Sequence, residues 1–207
     1  MIDFRLYLIS DRNQCAGRSF MDTIGHAFAA GVRCLQIREK DLPSNALYWF
    51  VGEVQEIVKK YQSTLLINDR ADIVQATGAD GVHLPETGLP PDVTRKCLPA
   101  GKLIGVSTHS LDRALEAEDL GADFVTFGPV FYTPSKAPYG DPLGLATLAR
   151  VTASMNIPVF ALGGINPENT VHCMDAGAHG VAAISAILAA SDVQKAVADF
   201  RRSLGRL

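Results

Sequence analysis

The stretch Gly78-Ala79-Asp80-Gly81-Val82-His83-Leu84 sets a glycine just ahead of a short apolar run. The same grammar returns at Gly31-Val32-Arg33-Cys34-Leu35-Gln36-Ile37, Gly121-Ala122-Asp123-Phe124-Val125-Thr126-Phe127 and Gly177-Ala178-His179-Gly180-Val181-Ala182-Ala183. Each follows a segment of helical periodicity, such as residues 111–120 (LDRALEAEDL). A left-handed glycine is the expected end of such a helix. A strand that begins so soon afterwards marks a short αβ loop.

Further strand-like runs lie at residues 5–9, 65–68, 103–107 and 158–162. The runs are continuously apolar rather than alternating, as parallel strands covered on both faces require. Helical segments are predicted to start near Phe20, Ser44, Ala71, Pro91, Ser110, Leu143, Asn166 and Ser191. Eight βα units in one chain fit an α/β fold of the (β/α)8 TIM-barrel kind, one domain over residues 1–207. A doubly wound open sheet is the rival, but no GxGxxG follows the first strand.

Composition narrows the partners. The net charge is −3 and no long basic tract is present, which argues against nucleic acid. No run of eighteen apolar residues occurs, so no membrane-spanning helix is expected. The opening MIDFRLYLIS is interrupted by an acid and an arginine and lacks a small-residue cleavage site, so it reads as the first strand of a cytoplasmic protein. Cys15, Cys34, Cys97 and Cys173 show no metal-binding spacing. Cys34 and Cys173 fall in apolar patterns and read as buried hydrophobes. Helices around a small barrel could also supply a homodimer face.

In a barrel the active site forms at the C-terminal strand ends. There the sequence places Gln36-Ile37-Arg38-Glu39-Lys40, Asn68-Asp69-Arg70, His83-Leu84-Pro85-Glu86, Ser107-Thr108-His109, the run from Gly128 to Lys136, Gly163-Gly164 and Ile184-Ser185. Gly163, Gly164, Ile184 and Ser185 lie on the loops after strands 7 and 8. Backbone N–H groups there and a helix N-terminus suit a phosphate. Arg38, Lys40 and Lys136 could bring three cations to one cavity. Alternation sets Gln36, Arg38 and Lys40 on one side if the strand lasts that far. Asn68-Asp69 could hold a divalent cation, or Asp69 could cap the helix beginning at Ala71. His109 is a candidate proton-transfer group near neutral pH. His83 reads as structural.

The segments QIREK, INDR, GVHL, GVSTHS, GPVFYTPSK, ALGGI and GVAAISAI together resemble the thiamine phosphate synthase/thiazole tautomerase superfamily. They occur in that superfamily's order and cover nearly the whole chain. The resemblance implies the barrel fold and a small-molecule thiazole phosphate as substrate. It matches Gln36, Arg38, Lys40, Asn68, Ser107, Thr133, Ser135 and Lys136 to pyrimidine and pyrophosphate contacts of synthases. Asp69 matches one Mg²⁺ ligand, and Gly164, Ile184 and Ser185 match the thiazole phosphate site.

One loop departs. Synthases carry a second metal-binding aspartate where this chain has Gly88, and Glu86 lies two residues earlier. The Leu84-Pro85 wording and the spacing of Pro138 to Leu145 resemble the tautomerase branch instead, although Gly105-Val106-Ser107 is closer to the synthases. The expectation is therefore a metal-free thiazole tautomerase (an isomerase), with His109 and Glu39 as the proton-transfer groups and no cofactor. A Mg²⁺-dependent synthase is the alternative, and a non-catalytic protein that binds thiamine phosphates is the third reading.

Overall fold

The computed structural model describes residues 2–134 and 140–205. Eight parallel strands close into a barrel in sequence order. They are β1 (Leu6–Ile9), β2 (Cys34–Ile37), β3 (Thr64–Asn68), β4 (Gly81–Leu84), β5 (Leu103–Thr108), β6 (Phe124–Phe127), β7 (Val159–Leu162) and β8 (Gly180–Ala183). The covering helices are α1 (Phe20–Ala29), α2 (Ser44–Lys60), α3 (Ala71–Thr77), α4 (Pro91–Cys97), α5 (Leu111–Asp119), α6 (Gly144–Ser154), α7 (Pro167–Asp175), α8 (Ser185–Leu188) and α9 (Val193–Leu204). The single TIM barrel read from the sequence is the observed fold.

The four punctuating glycines, Gly31, Gly78, Gly121 and Gly177, all have positive φ, as the helix-ending role demands. The sequence reading misses two short elements among the described residues, a 3-10 turn at Arg12–Gln14 and α8. The residues of α8 read in sequence as the end of strand 8, and the last long helix starts at Val193, two residues past the predicted Ser191.

Two apolar cores follow from the strand alternation. Inside the barrel, Tyr7, Ile9, Cys34, Leu66, Phe124, Phe160 and Ala182 pack together, with Phe4 closing the N-terminal end. The other faces of the strands, including Leu8, Leu35, Ile37, Val82 and Val125, pack against the helices. Phe160 is wholly buried and meets Phe4, Tyr7 and Phe124 at ring-centroid distances of 5.2–6.0 Å. Truncating such a ring to alanine costs about 3–5 kcal/mol. No helix among the described residues is long and apolar enough to cross a membrane. Cys15, Cys34 and Cys173 are buried thiols, and Cys97 is exposed.

Candidate active site

The C-terminal mouth collects most of the predicted residues, but they fall into three different surroundings. The first lies inside the barrel. Gln36 faces inward, and its Nε2 donates to the Tyr7 hydroxyl at 2.8 Å. That hydroxyl is 3.2 Å from His83 Nδ1. His83 Nε2 is 3.1 Å from Ser107 Oγ and 3.4 Å from Thr126 Oγ1. Gln36, Tyr7, His83 and Thr126 are buried, and Ser107 is half-buried at the mouth. Burial, aided by the nearby Arg38 charge, pushes the His83 pKa down to about 3. His83 is thus neutral near pH 7. Tyr7 was missed; its signal is the one polar tip on the inward-facing side of the LYLI strand.

The second surrounding is a cavity of about 230 Å³ whose rim includes Glu39, Lys40, Asn68, Asp69, Arg70 and Pro85. Strand β2 ends at Ile37, and a turn follows in which the Leu42 N–H reaches Glu39 O. Lys40 therefore does not continue the alternation of Gln36 and Arg38. It joins Asn68 and Asp69 instead. Asp69 sits at φ 59°, a left-handed conformation that aspartate tolerates better than most residues. Its N–H donates to His83 O at 2.9 Å, which fixes the turn. The capping alternative is closed, because Arg70 holds the N-cap position of α3 and no side chain caps it. Among the described residues, none donates a hydrogen bond to the Asp69 carboxylate, and Arg70 is engaged by Asp72 and Ser44.

Glu39 is committed elsewhere. Its buried carboxylate accepts from Ser10 Oγ at 2.6 Å, from the Arg12 N–H and from the Arg12 guanidinium at 2.8 Å. Arg12 also pairs with Asp41. Ser10 Oγ in turn accepts the Arg38 N–H at 2.8 Å, so Glu39 anchors the main chain that carries Arg38.

On the other side of Pro85 the loop closes a tight turn, with Gly88 N–H donating to Pro85 O at 2.9 Å. A Cβ at Gly88 would stand 2.9 Å from Pro85 Cδ, so this turn has no room for a metal-binding side chain there. Both Glu86 oxygens face His109 rather than Asp69: Oε1 accepts its N–H at 3.0 Å and Oε2 lies 3.1 Å from Nδ1. Among the described residues no three His, Cys, Asp or Glu groups converge on one metal position.

The third surrounding is the pair of loops after β7 and β8, adjacent because Leu162 pairs with Ala182. Gly163 and Gly164 have φ of 95° and 65°. A Cβ on Gly163 would fall 2.5 Å from Pro129, and one on Gly164 would fall 2.9 Å from Phe131 Cβ. Glycine therefore lets the loop leading to Thr133 lie directly against the β7 loop. Asn169 Nδ2 donates to Gly164 O at 2.9 Å and holds the pair in place. Ile184 precedes α8, and exposed Ser185 opens it, with first-turn N–H groups that have no partner within the helix. At the other end Arg18 donates to Leu188 O at 2.8 Å. Ser135 and Lys136 lie outside the described residues, as does the Pro138 end of the loop compared above.

Comparison with known proteins gives one direction. A family model described as thiamine monophosphate synthase matches residues 6–187. The chain is 52% identical to a provisionally named thiamine-phosphate synthase of Geobacter sulfurreducens, over 92% of this chain and 90% of that one. It is 43% identical to the thiamine-phosphate synthase of Clostridium novyi, covering 94% and 96% of the two chains. Among solved structures, thiamine phosphate pyrophosphorylase from Pyrococcus furiosus superposes with a TM-score of 0.88 at 34% identity, covering 97% and 95%. These names overturn the expectation of a thiazole tautomerase and of an isomerase. Its basis was the altered loop after β4 and the spacing of Pro138 to Leu145, and Mg²⁺ is commonly held by a single carboxylate plus substrate oxygens, so a missing second carboxylate does not remove the metal chemistry.

Proposed function

The chain belongs to the thiamine monophosphate synthase family, and from that premise we propose that it is a transferase joining hydroxymethylpyrimidine pyrophosphate to thiazole phosphate, forming thiamine phosphate and releasing pyrophosphate. The observation that carries this reading is the cavity where Lys40, Asn68 and Asp69 meet, beside the Arg38 strand end. It sets cations for a pyrophosphate next to a carboxylate for the ion that accompanies one.

In the reaction, the bond from the pyrimidine methylene carbon to pyrophosphate breaks with its electron pair leaving on oxygen. The thiazole nitrogen supplies the pair for the new bond. Arg38 suits two-point contact with a phosphate, and Lys40 adds a point charge. Gln36, held by Tyr7, and Asn68 present amide groups to the pyrimidine, with Ser107 at the inner edge. Gly163, Gly164, Ile184 and Ser185 offer backbone N–H groups to the thiazole phosphate. Thr133, Ser135 and Lys136 complete the set by resemblance.

Magnesium fits the donor set through Asp69, whose carboxylate is open to the cavity and whose main chain is held rigidly. When bound, Mg²⁺ would neutralise charge on the departing pyrophosphate. The test is to supply both substrates with Mg²⁺ and follow thiamine phosphate, then repeat in EDTA. Product with Mg²⁺ and none in EDTA is expected. No product, or equal rates in both, would sink the reading; ligand binding without product would favour a binding protein.

A further inference from the structure

Beneath the mouth, the polar side chains of the barrel interior form one chain between aromatic walls. Phe124 lies 5.7 Å from the Tyr7 ring and 5.6 Å from the His83 ring, and Phe4 and Phe160 pack on Tyr7 from the other sides. Gly105 makes room for this: a Cβ there would stand 2.5 Å from His83 Nδ1. Tyr7 is fully buried, so its hydroxyl must find both its donor and its acceptor within the chain.

The donors then settle the direction. Gln36 Nε2 donates to the Tyr7 oxygen. The Tyr7 O–H proton is left with His83 Nδ1, its other partner, 3.2 Å away. A neutral imidazole that accepts at Nδ1 carries its proton at Nε2. That N–H points at Ser107 Oγ, 3.1 Å away, with Thr126 Oγ1 as a longer second acceptor. Ser107 has one proton of its own, and with its oxygen accepting from His83 that proton is left to donate at the mouth, where Ser107 is half-buried. With the Gln36 amide set Nε2 toward Tyr7, the opposite tautomer would leave the Tyr7 O–H buried without an acceptor.

We propose that Tyr7 and His83 are positioning residues, which fix His83 as the Nε2–H tautomer and thereby make Ser107 a dedicated hydrogen-bond donor to the pyrimidine pyrophosphate substrate. The inference about substrate rests on the synthase reading. The tautomer itself does not. Tyr7 and His83 lie on strands next to those of Gln36, Asn68 and Ser107, but their pairing crosses the barrel interior, which is why residue types at strand ends did not reveal it.

The experiment has two arms. Two-bond ¹⁵N–¹H NMR of the labelled full chain reads the protonation of each His83 nitrogen without requiring turnover. A pyrrole-type Nε2 and a pyridine-type Nδ1 are expected. A ring protonated at Nδ1 overturns the proposal. In the second arm, Tyr7→Phe keeps the ring and removes only the hydroxyl. It should weaken the preference for the Nε2–H tautomer and lower kcat by roughly 10–100-fold, the size typical when a group orienting a contact residue is lost. The KM for thiazole phosphate should not move. Ser107→Ala added to Tyr7→Phe should cost little more than Ser107→Ala alone, since both remove one interaction. A merely structural Tyr7 would lower thermal stability and leave the tautomer and kcat unchanged, which would also overturn the proposal. Absence of synthase activity in the parent protein would instead be a failure of the function reading, visible separately from the ring assignment.

Discussion

Glu86 holds His109 with both carboxylate oxygens, one on the backbone N–H and one on Nδ1. The contact ties the loop after β4 to the end of β5. It also uses the acid that stands nearest to the missing ligand at position 88. Glu86→Ala is therefore expected to leave the Mg²⁺ concentration needed for half-maximal activity unchanged. The lost pair is partly exposed, so stability should fall by at most about 1 kcal/mol. A steep rise in the Mg²⁺ requirement would show that Glu86 turns to the metal during the reaction.

Asp69 should behave oppositely. Alanine there would lose the carboxylate and also strain a left-handed main chain, by about 1–2 kcal/mol. Asparagine tolerates that conformation and changes only the charge. Asp69→Asn should keep the thermal midpoint and lower kcat by about 10²-fold or more, the scale of losing one well-placed charge contact in a transition state. Activity assays alongside thermal melts separate the two effects; an active Asp69→Asn variant would remove the metal role.

Gly164 is the sensitive point of the phosphate loops. Gly164→Ala forces a Cβ into Phe131 and Tyr132 at positive φ. The loops must separate, and the expected result is a raised KM for thiazole phosphate with little change for the pyrimidine substrate. Calorimetry with thiazole phosphate alone would check it. Equal affinity in the variant would move the phosphate elsewhere.

Glu39 is expected to act through Arg38. Glu39→Ala leaves Ser10 and the Arg12 N–H without their acceptor, costing about 1–3 kcal/mol. Release of the Arg38 main chain should raise the KM for the pyrophosphate substrate more than it lowers kcat. Steady-state kinetics against each substrate in turn would reveal the split, and an equal effect on both substrates would argue against it.

His83 gives the fold an acid-side weakness. Its pKa is lowered from 6.5 to about 3 in the folded chain, so between those values the unfolded chain binds a proton that the native chain does not. Stability should then fall with decreasing pH in that window, by about 1.4 kcal/mol per unit from this group. Above it His83 contributes no slope. Comparing urea midpoints of the parent and His83→Asn across that range should show a shallower slope in the variant. Identical slopes would mean that other groups govern acid unfolding.

Much of this was legible in residue order. Glycines at helix ends, continuous apolar strands and the order of strand-end motifs determined the barrel, because local sterics and two-sided burial act within a few residues of each other. The same logic placed Gln36, Asn68, Asp69, Gly164 and Ser185 at the mouth. Where local pattern ran out, it misled. The wording around Pro85 and Gly88 pointed to a thiazole tautomerase, and the names of the relatives correct that reading.

What the chain's order could not decide was direction and partnership. Lys40 left the Gln36–Arg38 side because β2 ends one residue before Arg38. Glu39 was committed to Arg12 and Ser10, residues of the neighbouring strand's loop, and Glu86 to His109 rather than to Asp69. Tyr7 met His83 across 76 positions of sequence. Sequence spacing constrains only neighbours on one element. Closure of the barrel brings β1, β2, β4 and β5 into hydrogen-bond distance, and there each buried polar group must pair with whatever the fold sets opposite it.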